Sequence, residues 1–364
     1  MLKNFFDKLS EEIVFLILFV LLFISMFFRT PDIKSIDLAV IAALFNLMLV
    51  AIAFEYENFL DYIALTVAKK FHSEKKLVFA MIFTSMFISM FMTNDVALLT
   101  LVPITILIGK KGNFNPYKIV AFETVAANLG SALTPFGNPQ NIFIFNFFKI
   151  NTLDFMKMTI PFTVVSLITM CILANFTSKK KIEFELKDVE IKSKKRVYIY
   201  GFLFILAIFS IVHLISYKIV TLVIITSFIF MNKKLILNVD YFLLGTFVLF
   251  FLLIDNIASF ETLKIFFERI LNSDRKIMWY SAISSQGFSN VPTAILFSPF
   301  VKSAKALLWG VSLGGLGTLV ASLANLISYK LYIKEYSKKE YFSYFTKINI
   351  ILFVTIGIII NFMI

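Results

Sequence analysis

Two short polar segments interrupt long apolar stretches: Thr93-Asn94-Asp95 in the middle of 77–109, and Ser289-Asn290-Val291-Pro292-Thr293 in the middle of 276–308. Side-chain and carbonyl oxygens at such points can coordinate a cation. The N-terminus of a helix that starts there can face an anion. Pro292 suits the first turn of a helix beginning after Asn290. Asp95 places an ionisable group at membrane depth, which marks a functional candidate by default. The plainer alternative is a polar contact between helices of a bundle.

A third segment has the most specific pattern. Asn128-Leu129-Gly130-Ser131-Ala132-Leu133-Thr134-Pro135-Phe136-Gly137-Asn138-Pro139-Gln140-Asn141 lies between apolar Ile119–Ala127 and Ile142–Phe148. Prolines and glycines at this density free backbone groups that a continuous helix would use. An unwound helix centre is expected, with its carbonyls and the amides of Asn138, Gln140 and Asn141 facing a cavity. The alternative is an ordinary external turn. Gly314-Gly315-Leu316-Gly317-Thr318 through Ser322 and Asn325 looks like its partner but lacks proline, so a glycine bend rather than a full break is expected there. Glu123, Asp255 and His213 are read as interfacial or buried paired residues before proton relays.

The elements that carry these residues belong to a membrane. The chain has 364 residues, 59% of them hydrophobic, and a mean hydropathy of +0.86. Phe15–Phe28, Leu38–Phe54 and Ile348–Ile364 contain no charge. Such blocks, with their flanks, reach the roughly 20 residues a span needs. Spans are expected near 12–28, 37–54, 119–148, 157–175, 197–213, 218–231, 240–257, 309–328 and 347–363, and 77–109 and 276–308 as re-entrant hairpins. A retained first span and a cytoplasmic N-terminus are expected from Met1–Glu12, which lacks a cleavage site. The net charge of +12 then reads as topology charge rather than as a nucleic-acid footprint. Most Lys and Arg fall in 69–76, 110–118, 178–196 and 330–339, on one side; 258–276 is the weak point. The lone Cys171 can form neither an internal disulfide nor a metal site by itself. No nucleotide, zinc or nucleophile motif occurs, which argues against an enzyme and for transport without cofactors.

An inverted repeat follows, with a first unit over 1–177, a basic cytoplasmic linker over 178–196, and a second unit over 197–364. Amphipathic 55–72 and 261–272 precede the two hairpins as interfacial helices. Asn94 pairs with Asn290, Pro103 with Pro299, Gly130-Ser131 with Gly317-Thr318, and Asn138 with Asn325. The linker is read as a solvated loop with no partner of its own.

Thr93-Asn94-Asp95, the run from Leu133 to Asn141, and Ser289-Asn290-Val291-Pro292-Thr293 together resemble the ion transporter superfamily of divalent anion:sodium symporters, citrate transporters, arsenite permeases and sodium/proton antiporters. The resemblance covers nearly the whole chain and is closest to a small branch labelled citrate-transporter-like or arsenite-permease-like. It implies an all-α polytopic fold with two re-entrant hairpins and broken helices, an elevator motion, a homodimer, and a bacterial inner membrane. It implies sodium or a proton as coupling ion, and a small anion or oxyacid as substrate. Carried over, Thr93 and Asn94 with Gly137 and Asn138 form one site, and Ser289 and Asn290 with Thr318 and Ser322 the other, Thr293 joining the substrate contacts and Asp95 the cation. The symporters carry Ser-Asn-Thr at each tip; here Asp95 and Val291 replace the threonines. Antiport through Asp95, arsenite efflux and a channel stay open as alternatives.

Overall fold

The computed structural model describes residues 13–184 and 188–364. The expectations for Met1–Glu12, and Lys187 of the linker, lie outside the described residues.

The helices follow the apolar blocks, and most start after a polar residue. In order they are α1 (Ile13–Met26), α2 (Leu38–Tyr56), α3 (Phe59–Ala68), α4 (Glu74–Met92), α5 (Asn94–Lys111), α6 (Tyr117–Gly130), α7 (Pro139–Phe147) and α8 (Thr152–Ala174). Then come α9 (Lys194–Ile211), α10 (Tyr217–Asn232), α11 (Tyr241–Ala258), α12 (Glu261–Ile270), α13 (Asp274–Phe288), α14 (Asn290–Phe297), α15 (Ala304–Gly314), α16 (Leu323–Ile333) and α17 (Lys338–Asn361). Asp37 and Asp240 cap α2 and α11 by accepting from first-turn N–H groups. Among the described residues, six helical segments are long and apolar enough to cross a membrane. Large apolar side chains such as Phe83, Phe87, Ile168 and Ile358 are exposed on them, as a lipid-facing surface requires.

Two halves with matching order emerge. The series α1–α8 recurs as α10–α17, and α9 has no counterpart among the described residues. Within each half the incoming hairpin helix packs tightly on the first part of the broken helix, α4 on α6 and α13 on α15. Small residues make this possible. A Cβ on Gly130 would lie 2.6 Å from the Met86 Cα, and one on Gly310 2.5 Å from the Met278 carbonyl oxygen. Between halves the packing is reciprocal: α5 lies on α16 and α14 on α7. This exchange is what a pseudo-two-fold repeat produces.

Three expectations change. First, the second hairpin is shorter than 276–308. Its outgoing arm is α14 plus a 3-10 turn over Ser298–Phe300, and Ala304 already starts α15. Second, the broken helix of the second half is fully broken, with the gap 315–322 as long as 131–138 in the first. Third, the linker has partners. Lys181 forms an antiparallel bridge with Ser73. The Ile182 N–H donates to the His72 carbonyl at 2.9 Å, and the Lys192 N–H to the Glu57 carbonyl at 3.1 Å. Backbone bonds at Lys180, Lys181, Ile182 and Lys192 thus tie the described part of the linker to the rim of the first half.

The strap ends at an ion pair. Arg196 Nη1 lies 3.3 Å from Oε1 of Glu57, whose side chain is fully buried. Arg196→Ala leaves that carboxylate without its cation, which should cost about 3 kcal/mol. The expected result is an unfolding temperature in detergent several degrees below the parent.

Asp255 and Glu123 are likewise paired, Asp255 with Arg29 at 3.4 Å and buried Glu123 with the Thr105 hydroxyl. His213 stacks on Phe145 with ring centroids 5.7 Å apart.

Candidate transport site

Both hairpins turn at a residue with the same unusual backbone. Thr93 has φ 73° and ψ 150°, and Ser289 has φ 68° and ψ 157°. This region is almost exclusive to glycine and costs on the order of 1–3 kcal/mol elsewhere. Helices α5 and α14 therefore start abruptly at Asn94 and Asn290.

The broken-helix loops correspond atom for atom. Asn141 Nδ2 donates to the carbonyls of Ser131 and Thr134, at 3.1 and 2.9 Å. Asn325 Nδ2 donates to those of Gly315 and Thr318, at 3.0 and 2.9 Å. The Thr134 hydroxyl donates to the Met90 carbonyl, and the Thr318 hydroxyl to the Gln286 carbonyl at 2.9 Å. Thr134 thus matches Thr318, Asn141 matches Asn325, and Asn138 matches Ser322, each the N-cap of its half-helix. The pairing of Gly130-Ser131 with Gly317-Thr318 and of Asn138 with Asn325 is corrected by about one helical turn. Gly130 instead matches Gly314: a Cβ on either would strike the hydroxyl of Ser89 or Ser285, at 2.9 and 2.5 Å.

Asn128 joins the halves at the centre. Its Oδ1 accepts from Asn94 Nδ2 at 2.9 Å and from the Ser322 hydroxyl at 3.0 Å. Its Nδ2 donates to Asn325 Oδ1 at 2.7 Å. All four residues are buried. The amide chemistry of 128–141 was legible in the sequence, but not that Asn128 would be the hub.

Beside this network lies a cavity of about 190 Å³. Asn94 and Asp95 reach it from the start of α5, Pro139 and Gln140 from α7, Asn290 and Pro292 from α14, and Ser322 and Leu323 from α16. Besides the start of α11, four helix N-termini, two from each half, therefore converge there. Ser289 completes the polar wall, and Leu243, Phe247 and Phe250 of α11 form the apolar one. Asp240, at the exposed start of α11, also lines it. Among the described residues, two carboxylates and no Lys, Arg or His face the space. Asp95 Oδ1 is buried and, among the described residues, meets no hydrogen-bond donor.

The expected site residues divide. Asn94, Asp95, Ser289, Asn290 and Ser322 line the cavity. Thr93, Gly137, Asn138, Thr293 and Thr318 do not. Asn138 spends its side chain on its own loop, Oδ1 accepting from the Asn141 N–H at 2.9 Å and Nδ2 donating to Ser131 Oγ at 3.0 Å. The Thr293 hydroxyl donates to the Ser289 carbonyl at 2.8 Å. Thr318 faces a separate hollow with Gln286 and Phe342. Asp240 was missed; an aspartate at a helix start reads as a cap, and only the fold turns that cap toward the cavity.

The chain matches the citrate transporter family over residues 5–324. It is 35% identical, over 80% of both chains, to an uncharacterised transporter of Methanocaldococcus jannaschii. It is 29% identical to the inner membrane protein YbiR of Escherichia coli, over 82% of this chain and 80% of that one. Among solved structures it resembles the Alcanivorax borkumensis YdaH transporter, described as having an unusual topology, with a TM-score of 0.53 and 12% identity over 90% of this chain and 85% of that one. That likeness concerns the fold. Apolar spans, paired hairpins and a matched family over most of the sequence agree: this multi-pass membrane chain belongs to the citrate transporter family of transporters.

Proposed function

We propose that the protein is an ion-gradient-driven secondary transporter of a small anion or oxyacid, acting in the inner membrane by movement of the hairpins and broken helices as one body. The carrying observation is the convergence of four helix N-termini from both halves on one small cavity. Their partial positive charge favours an anionic or oxygen-rich solute. The volume of about 190 Å³ sets the scale of that solute. Asp95 and Asp240 oppose a bare dianion by like-charge repulsion. The solute is therefore carried as a neutral oxyacid, or with a sodium ion or proton beside Asp95. Aspartate here, with an unpartnered buried oxygen, also favours a second reading as a sodium/proton antiporter.

Flux into proteoliposomes under an imposed sodium or proton gradient tests both readings. Saturable, gradient-driven uptake of an oxyanion, a carboxylate or arsenous acid is expected. Conductance that ignores the gradient would overturn the carrier reading. Asp95→Asn is expected to uncouple uptake from the cation gradient, lowering gradient-driven flux at least about tenfold, as removal of a cation's charged partner should. Sodium-linked proton exchange that survives this change would remove the antiport reading.

A further inference from the structure

The two halves differ sharply at one pair of positions. Where the first half has Met90 and Leu133, the second has Gln286 and Gly317. Gln286 reaches from α13 into the loop 315–322. Its Nε2 lies 3.0 Å from the Ala282 carbonyl oxygen, 3.0 Å from that of Gly314 and 2.9 Å from that of Leu316. Its Oε1 accepts from the Thr318 N–H at 2.9 Å. Gly317 makes room: with φ 102°, a Cβ there would lie 2.2 Å from Gln286 Oε1.

Three carbonyls converging on one point form a cation-seeking arrangement. An amide nitrogen has only two protons to give them, so the ring holds more acceptor capacity than its occupant satisfies. The first half also has an amide nitrogen on three carbonyls, Asn141 Nδ2 on those of Ser131, Ala132 and Thr134, but it belongs to the broken helix itself; among the described residues no amide reaches that loop from the hairpin helix α4. There the Met90 thioether can donate no hydrogen bond. The equivalent carbonyls are covered separately, that of Ala132 by Asn141 Nδ2 at 3.2 Å and that of Gly130 by the Leu133 N–H at 3.1 Å. The second tip is also tied down on its own side, the Asn290 N–H donating to the Ala321 carbonyl at 3.0 Å.

We propose that the Gln286 amide stands in the second half where a bound cation would otherwise hold the hairpin to the broken helix, locking the two together permanently and leaving ion coupling to the first half alone. The proposal rests on the transporter reading above and deepens it: one repeat carries the coupling ion, and the other carries its own tethered substitute. Gln286 is a positioning residue, acting through the loop 315–322.

The test uses the purified full-length protein and needs no substrate, so its failure is separable from failure of the transport reading. Gln286→Glu puts a carboxylate against the carbonyl ring and should create a real cation site. Its unfolding temperature should rise by at least about 3 °C more than the parent's between choline chloride and sodium or potassium chloride at equal ionic strength. A rise equal to the parent's would overturn the proposal. Should that variant fail to fold, Gln286→Met, which installs the first half's residue, carries the test by hydrogen exchange. Exchange at 314–322 should quicken at least about tenfold while 130–138 is unchanged. Unchanged exchange at 314–322 in that variant would overturn the proposal. So would sodium-induced protection of 314–322 in the parent, because it would show that the second half binds the ion itself.

Discussion

Asn128→Ala is expected to abolish gradient-driven transport and to lower stability by about 3 kcal/mol or more. The truncation removes one side chain but strands three others. Asn94 Nδ2, the Ser322 hydroxyl and Asn325 Oδ1 each find in Asn128 their hydrogen-bond partner, and all are buried. A buried polar group left without a partner costs about 1–3 kcal/mol. The functional loss should exceed the stability loss, because the same bonds fix Asn94 and Ser322 at the wall of the cavity. Thermal unfolding in detergent and uptake by proteoliposomes of the folded fraction measure the two separately. Full uptake by folded Asn128→Ala would show that the hub positions nothing the solute needs.

Gly137→Ala should be nearly as damaging, through sterics. An added Cβ would lie 2.2 Å from the Ser131 carbonyl oxygen and 3.0 Å from its Cα. Both are backbone atoms, and the oxygen is already held by Asn141 Nδ2 at 3.1 Å. Relief therefore requires the loop 131–138 to open, which breaks the Asn138 and Asn141 contacts together. A loss of about 3 kcal/mol or more is expected, the scale of an overpacked, immobile site. Gly201→Ala serves as the control. Nothing lies within 4 Å of its added Cβ, and alanine in a helix should hold stability or raise it by up to about 1 kcal/mol. Equal melting temperatures for the two variants would contradict the close approach at Gly137.

The sequence made the hairpin tips and the first broken helix legible because each relies on a strong local signal. Asn94 and Asn290 interrupt otherwise apolar stretches, and Pro135, Gly137 and Pro139 cannot continue a helix. The second break was hidden because its causes are not local. The gap 315–322 contains no proline, and its carbonyls are held by Gln286 from another helix and by Asn325 downstream. The register between halves slipped for a related reason. Glycine, threonine and asparagine recur so often around 314–325 that residue identity allows two alignments about a turn apart. Only the hydrogen bonds choose between them. The linker's strap was invisible because backbone bonds to His72 and Glu57 leave no mark on side-chain type.

The backbone at the two tips has a mechanical consequence. A hairpin that turns on glycine can swing, since glycine tolerates many angles on either side of its present one. Thr93 and Ser289 tolerate few: each is held in a narrow well by the helices it joins, and a small rotation leads into a steric wall. The tips are thus fixed corners rather than hinges. In the one-body movement proposed above, α4 with α5 and α13 with α14 would travel as stiff levers with set apex angles, each together with the broken helix it packs on.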